Sequence, residues 1–254
     1  MLKIDLTGKL AVITGATGQL GRVMTDVLSD CNADIAIHYH SNSEKAEELA
    51  ASVRAKGRRA GIFQADITDR DSVMNMQRDI ADKLGSPQIV VCNAVIQYEW
   101  KPVLEQDIAD YYSQFESCVM QNVYMAKAFV PDMIKAEYGR FIAVNTECSA
   151  LAEAGCSAYT SAKRGLDGFV RCFAKEVGCH NITVNQVAPG WTISFTDREN
   201  NTEKQDSYDS TVPLKRRGTD LEIAQMTAFL ASDLASFTTG AYIPVSGGRV
   251  MPAI

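Results

Sequence analysis

Short apolar runs alternate along the chain with longer segments in which apolar residues recur at helical spacing. The runs predict strands at residues 10–14, 35–38, 61–64, 89–92, 141–144, 183–187 and 242–245. Alternating strands and helices are typical of a parallel sheet that carries helices on both faces. We therefore predict an α/β fold built on a doubly wound, seven-stranded parallel sheet.

Two of the intervening segments carry clear helix signals, whereas a third segment lacks them. An apolar stripe at spacings of three and four residues consists of Leu166, Phe169, Val170, Phe173 and Val177. Residues 219–222, TDLE, fit a capping box that begins another helix. Residues 191–212 are polar and loosely patterned, which is typical of a binding loop. No linker divides the chain, so we predict one domain over residues 1–254 with a substrate loop at about 191–212.

The composition limits the classes of function. The chain has 254 residues and a formal net charge of −6, so it lacks the basic balance expected of a nucleic-acid-binding protein. Its seven cysteines form no CxxC pair and its three histidines form no HExxH motif, so we expect reduced thiols, a cytoplasmic location and no metal. No apolar segment reaches membrane-spanning length, and the first residues lack a signal-peptide core. We therefore expect no membrane and no nucleic-acid partner.

Residues 14–21, TGATGQLG, follow the first predicted strand and precede a predicted helix. Glycine recurs there at Gly15, Gly18 and Gly21. Glycines allow a backbone to approach a pyrophosphate, and a helix N-terminus offers free N–H donors to it. A plain turn between strand and helix explains the same pattern. The stretch is either a dinucleotide cradle or a tight turn, and the rest of the chain must decide.

Tyr159 and Lys163 are four residues apart at the start of the striped helix, so they share one helix face. A nearby cation stabilises a phenolate and lowers the pKa of the phenol. The pair could therefore act as acid and base for a carbonyl/alcohol couple. The alternative is an exposed tyrosine beside a solvated lysine.

Ordered motifs along nearly the whole chain resemble the short-chain dehydrogenase/reductase family, in its compact single-domain branch. They are residues 9–14 with the glycine turn, Asp66-Ile67, Cys92-Asn93-Ala94, Asn122, Thr146, Tyr159, Lys163, residues 185–190, 213–218 and 229–233, Gly240 and Gly247-Gly248. The resemblance implies a Rossmann-like form of the predicted sheet. The C-terminal third is most similar to 3-oxoacyl-acyl-carrier-protein reductases and glucose 1-dehydrogenases.

The resemblance implies hydride transfer between a nicotinamide and a carbonyl or alcohol. It implies Tyr159 as general acid and base, with Lys163 lowering its pKa and binding the ribose. Thr146 would hydrogen-bond the substrate oxygen, and Asn122 would hold a water that relays protons. The implied cofactor-binding residues are Gly15, Thr17, Gly18, Gln19, Leu20, Gly21, His40, Ser41, Asn42, Asp66, Ile67, Asn93, Ala94, Val95, Tyr159, Lys163, Pro189, Gly190 and Thr192.

Three positions depart from the family's pattern. Gln19 stands at the middle glycine of TGxxxGxG, and Gly18 lies one residue earlier, which resembles the GxxGxxG of other branches. Val95 replaces the last glycine of NNAG, and Thr146 replaces serine but keeps the hydroxyl. None of these changes removes a required chemical group, so we expect them to affect substrate and rate more than the chemistry.

The end of the second predicted strand bears on the choice of cofactor. NAD enzymes commonly place an acidic residue there to bind the ribose hydroxyls, whereas residues 39–42 here are Tyr, His, Ser and Asn. No carboxylate would repel a 2′-phosphate, and Lys45 follows closely. The segment predicts NADP, with NAD as the alternative. Residues 41–43 could instead only cap the next helix.

Two classes of function stay open for this chain. The first is an active reductase whose substrate is a 3-oxoacyl thioester or a small ketone, with a sugar or polyol as the alternative. The second is a catalytically idle dinucleotide-binding protein, which the intact Asn122, Tyr159 and Lys163 disfavour.

The resemblance also implies a homotetramer. The helices that carry Asn122 and Tyr159 would pack against their symmetry mates, and large apolar groups in these helices support such a contact. These groups are Met120, Tyr124, Phe169 and Phe173. The last helix, the final strand and residues 250–254 would form a second contact, and two such contacts generate D₂ symmetry.

Overall fold

Seven parallel strands form the central sheet of the computed structural model, which describes residues 3–252. Their spatial order is β3-β2-β1-β4-β5-β6-β9, and a separate small sheet pairs β7 with β8. The strands are β1 (Leu10–Ile13), β2 (Asp34–Tyr39), β3 (Ala60–Gln64), β4 (Ile89–Cys92), β5 (Gly139–Val144), β6 (Ile182–Pro189), β7 (Thr192–Ile193), β8 (Gly218–Thr219) and β9 (Tyr242–Val245). The predicted seven-stranded parallel sheet is confirmed.

The central strands are buried on both faces. Every residue of β1, β4, β5 and β6 is buried. This explains why β1 and β4 appear in the sequence as continuous apolar runs without alternation, whereas β6 also buries the polar side chains of Asn185 and Gln186.

Helices cover both faces of the sheet. They are α1 (Gln19–Asp30), α2 (Ser43–Ala55), α3 (Arg70–Leu84), α4 (Ile108–Phe115), α5 (Gln121–Lys135), α6 (Cys148–Leu151), α7 (Ser157–Val177), α8 (Phe195–Glu199), α9 (Asp206–Asp209) and α10 (Asp220–Ala231). One core lies between the sheet and α1, α2 and α10. The other lies between the sheet and α3, α5 and α7. The prediction of helices on both faces is therefore also confirmed.

The helix signals seen in the sequence correspond to packing and capping in the structure. Leu166 and Val170 of α7 are fully buried, and Phe173 packs edge-on against Phe141 of β5. Thr219 caps α10 through the expected reciprocal box with Glu222. Both observations confirm the elements inferred from these patterns.

The predicted irregular segment at 191–212 is more ordered than its polar pattern indicates. It contains β7, α8 and α9. The carboxylate of Asp197 accepts from Arg217 at 2.9 Å and, with Ser194, closes a capping box at the start of α8. These polar contacts hold the segment together with the buried side chains of Tyr208 and Val212. Its short elements have no apolar periodicity, so the sequence pattern did not reveal them.

The order of the strands reverses between β1 and β4, so the loops that follow these two strands diverge. In open α/β sheets such a point leaves a crevice at the carboxyl ends of the strands. None of the described helices combines the length and the apolar character needed to cross a membrane. Residues 3–252 also contain no cluster of side chains able to hold a metal ion.

Candidate active site

A cavity of about 1290 Å³ occupies the crevice at the carboxyl ends of the strands. Nearly all of the residues that the sequence singled out line it. Gly21 and Asn122 are the exceptions, because both are buried within helices beside the cavity. The lining also includes residues that were given no role, namely His38, Trp100, Glu147, Glu153, Tyr208 and Arg249.

The glycine loop is shaped for close backbone approach. Gly15 has a φ of +61°, and a Cβ on it would lie 3.0 Å from Cα of Ala94. Gly18 is the N-cap of α1, whose first turn contains no acidic residue. Side-chain atom Nε2 of Gln19 is buried and has no hydrogen-bond partner within residues 3–252. The loop thus offers a helix N-terminus and a spare amide donor, which fit the phosphates of a dinucleotide.

His38 holds this loop against the sheet. Its Nδ1 accepts from the backbone N–H of Gly15 at 2.9 Å, and its Nε2 lies 3.0 Å from the carbonyl oxygen of Ala65. The ring is therefore neutral, with the proton on Nε2. Burial lowers the pKa of His38 from 6.5 to about 4. A histidine within an apolar strand was the one sequence signal that could have identified this role.

We expect this buried histidine to make the protein sensitive to acid. Between pH 6.5 and 4 the unfolded chain binds a proton at His38 that the folded chain does not, so stability falls as the pH falls. From pH 7.5 to 5 this loss amounts to about 2 kcal/mol. Urea unfolding at both pH values should show a smaller decrease in His38→Asn than in the wild type. An equal decrease would contradict the assignment.

A polar network joins the ends of β1 and β4 to α5. The hydroxyl of Thr14 donates to Gln121 at 2.6 Å and accepts from the backbone N–H groups of Asn93 and Ala94. The Asn93 amide in turn donates to the carbonyl oxygens of Thr14 and Gly15. These contacts fix the floor of the cavity, and Gln121, which anchors them, had no recognisable signal in the sequence.

Tyr159 lies at the start of α7 with its ring 6.1 Å from the ring of Trp100. Its backbone N–H donates to the hydroxyl of Tyr98 at 3.0 Å. Burial raises the pKa of Tyr159 above its ordinary value, and a hydrogen bond from the side chain of Thr146 opposes that rise. The phenol is therefore protonated at neutral pH.

Lys163 lies beside Tyr159 but is held by the backbone. Its Nζ donates to the carbonyl oxygen of Val144 at 2.6 Å and lies 5.6 Å from the ring centre of Tyr159. The sequence suggested that this cation lowers the pKa of the phenol, whereas in the structure the effect of burial prevails. The ammonium is nevertheless part of the cavity wall.

Asn122 follows an irregular turn in the helix. Residues Glu116–Met120 form a π-helix between α4 and α5, a feature that is frequent at functional sites. The Asn122 amide donates to the carbonyl oxygen of Cys118 at 2.8 Å, while its Oδ1 is buried without a partner among the described residues. One acceptor atom of Asn122 is therefore free among the described residues.

Another part of the cavity wall is charged. Glu147, which directly follows Thr146, is 3% exposed. Its Oε1 accepts from Arg249 at 2.8 Å and from the hydroxyl of Tyr208 at 2.8 Å. Arg249 also pairs with Glu153. Sequence reasoning missed this cluster, because 102 residues separate Glu147 from Arg249.

Comparison with known proteins gives matches over nearly the whole chain. A family model described as Enoyl-(Acyl carrier protein) reductase matches residues 15–249. The chain is 35% identical over 249 residues to the 3-oxoacyl-acyl-carrier-protein reductase FabG of Pseudomonas aeruginosa, covering 98% of this chain and 100% of the relative. It is 30% identical over 253 residues to the enzyme of that name from Staphylococcus epidermidis, covering 96% and 99%.

A solved structure from Agrobacterium tumefaciens, described as a proposed gluconate dehydrogenase, is similar over the full length of both chains. Its TM-score to this chain is 0.91 and its sequence identity is 25%.

Proposed function

Because the chain belongs to the short-chain dehydrogenase/reductase family, it is an oxidoreductase that acts on carbonyl and CH–OH groups, and we propose that it transfers a hydride between NADP(H) and a small ketone or secondary alcohol. The observation that carries the proposal is the shared cavity, which brings the glycine loop together with Thr146, Tyr159 and Lys163.

The residues of the cavity fit a dinucleotide. The glycine loop supplies the backbone shape and the helix N-terminus for the pyrophosphate, and Asp66, Asn93 and Pro189 line the same cavity. When bound, the nicotinamide supplies or accepts the hydride. The remaining cofactor residues predicted from the sequence are part of this proposal.

Tyr159 is the proposed proton donor in reduction, and its phenolate form would be the acceptor in oxidation. Its raised pKa keeps the hydroxyl protonated, as donation to a reduced carbonyl oxygen requires. Thr146 would bind that same oxygen. Lys163 would bind the ribose. The free Oδ1 of Asn122 would hold a water that relays protons after Tyr159 has donated its own.

We propose NADP as the preferred cofactor. His40, Ser41 and Asn42 line the cavity beyond β2, and no carboxylate lies among residues 39–42. The side chain of Asn42 caps α2 by accepting from the backbone of Lys45 at 2.9 Å. The side chain of Asn42 is therefore engaged in capping the helix. The hydroxyl of Ser41 and the ring of His40 are the groups that we propose to bind the 2′-phosphate.

We expect titration by fluorescence to show tighter binding of NADPH than of NADH. Ser41→Asp should reverse this order and weaken NADPH binding at least tenfold, because a carboxylate repels the 2′-phosphate. Ser43→Asp, at the first residue of α2, controls for the added charge. Tighter binding of NADH by the wild type would refute the preference.

The relatives support two substrate classes, a 3-oxoacyl thioester and a polyol acid such as gluconate. A panel of carbonyls and polyols, followed at 340 nm with each cofactor, tests the proposed reaction. Reduction of any ketone supports an active enzyme. Tight NADPH binding without turnover on the whole panel would instead favour an idle dinucleotide-binding protein.

We also propose one catalytic domain, a cytoplasmic location and a homotetramer. Within residues 3–252 all seven cysteines are free, which supports a reducing compartment. Exposed apolar side chains cluster on α4 and just before it, where they support a contact between subunits; they are Val103, Leu104, Ile108, Tyr112 and Phe115. Of the expected second contact, Ala253 and Ile254 lie outside the described residues.

Light scattering at micromolar concentration should give four times the 27.7 kDa mass of one chain. Tyr112, which is 71% exposed on α4, is a suitable site for disruption. Tyr112→Asp should reduce the mass to that of a dimer or a monomer, because the contact would then bury an unpaired charge. A monomeric wild type would contradict the prediction, and a stable dimer would remove one of the two contacts.

A further inference from the structure

The carboxylate of Glu147 is engaged through only one of its oxygens. Oε1 accepts from Arg249 and Tyr208, each at 2.8 Å. Oε2 is buried and has no hydrogen-bond partner among residues 3–252. A buried polar atom is costly when it lacks a partner, so native structures nearly always provide one. This exception therefore requires an explanation.

The carboxylate is held firmly in its place. The backbone N–H of Glu147 donates to the carbonyl oxygen of Pro189 at 2.8 Å. Arg249 lies 4.6 Å from the ring centre of Tyr208 and also contacts Glu153 and Thr211. The anchors come from four separate parts of the chain. These contacts fix the orientation of the Glu147 side chain, and Arg249 offsets its charge. None of them donates a hydrogen bond to Oε2.

Gly190 allows the side chains of Glu147 and Tyr208 to approach the backbone closely. A Cβ at this position would lie 3.0 Å from Oε2 of Glu147 and 2.6 Å from the hydroxyl of Tyr208. Glu147, Gly190 and Tyr208 line the same cavity as Tyr159, and Glu147 is adjacent in sequence to Thr146. Glu147 thus shares a cavity with the residues that, on the proposed function, bind the reacting oxygen, and directly follows one of them in the sequence.

We propose that Glu147 is a specificity-determining residue whose free oxygen accepts a hydrogen bond from a substrate hydroxyl close to the reacting carbonyl. The inference rests on the proposed function and narrows its substrate class to hydroxylated ketones and polyols. An unsubstituted acyl chain carries no donor at this point and would leave the carboxylate oxygen unsatisfied. Because a buried acceptor is left without a partner, sites built to bind a substrate hydroxyl discriminate strongly against analogues that lack it.

Two pairs of ketones that differ only in hydroxyl groups provide the test. They are dihydroxyacetone with acetone, and L-erythrulose with 2-butanone; acetoacetyl-N-acetylcysteamine represents the acyl thioesters. With NADPH and the wild-type enzyme, we expect kcat/KM to be at least a hundredfold higher for the hydroxylated member of each pair. Faster reduction of the thioester, or equal rates within the pairs, would overturn the inference and leave the proposed function standing.

Two variants separate contact with the substrate from support of the wall. Glu147→Gln should reduce the hydroxylated-to-plain ratio of kcat/KM at least tenfold, because the amide is a weaker, neutral acceptor. Thr211→Val removes the hydroxyl that accepts a hydrogen bond from Arg249 at 3.0 Å, at a residue outside the cavity lining, and should keep the ratio within twofold. Equal decreases in the two variants would show that the cluster is only structural and would overturn the inference.

The ratio measured on the wild type decides the question even where Glu147→Gln does not fold. Turnover of neither carbonyls nor polyols by an enzyme that binds NADPH would reject the proposed function together with this inference.

Discussion

Tyr159→Phe is expected to reduce turnover at least a thousandfold while changing the affinity for NADPH by less than about threefold. The reason is that only the hydroxyl is lost. The ring remains available to pack beside Trp100, and the backbone N–H still donates to Tyr98. Proton transfer by a positioned side chain contributes about 10²–10⁴-fold to a rate, which sets the size of the expected loss.

Turnover at 340 nm and fluorescence titration of NADPH together measure the two effects. Tyr111→Phe is the matched control, because it removes a hydroxyl that lies 2.7 Å from Ser157 at the same end of α7. The control should keep turnover within about threefold of the wild type. Near-normal turnover of Tyr159→Phe on a good substrate would show that another group supplies the proton.

The sequence predicted the fold well because burial determines its pattern. The central strands are buried on both faces, so β1 and β4 appear as apolar runs. Helices α7 and α10 carry a recognisable stripe and a recognisable cap. The ends of the strands were less certain. β6, for example, extends through Pro189, since its pairing with β9 continues beyond the predicted range of 183–187.

The sequence located most of the candidate site because local motifs encode it. The glycine turn and the Tyr159–Lys163 spacing each lie within a few residues, so that their geometry follows from one loop or one helix face. The predicted residues do meet in one cavity, with Gly21 and Asn122 just behind its wall. Their catalytic and binding roles stay predictions.

What the sequence did not reveal depends on contacts between distant residues. Arg249 meets Glu147 across 102 positions, and the hydroxyl of Thr14 meets Gln121 across 107. Neither pair has a spacing that a helix or a strand would impose. The pKa of Tyr159 also depends on its burial in three dimensions, and this outweighed the effect expected of a lysine one turn away.

Gly21→Ala is expected to weaken NADPH binding at least tenfold, although Gly21 does not itself line the cavity. A Cβ at this position would lie 2.2 Å from the carbonyl oxygen of Gly15 and 2.8 Å from Cα of Ala16. Backbone atoms cannot rotate away as a flexible side chain can, so the glycine loop must move relative to α1. The loop and the N-terminus of that helix are the proposed pyrophosphate site, and their mutual position would then be lost.

Gly21→Ala should also lower the stability of the fold. Overpacking of this kind costs about 1–3 kcal/mol of stability, which urea unfolding would measure beside the fluorescence titration of NADPH. Gly168→Ala is the matched control, because Gly168 also lies within a helix and its added Cβ would meet nothing within 4 Å. That variant should bind NADPH normally and gain about 0.5–1 kcal/mol from helix propensity. Unchanged NADPH affinity in Gly21→Ala would show that the glycine loop does not form the cofactor site.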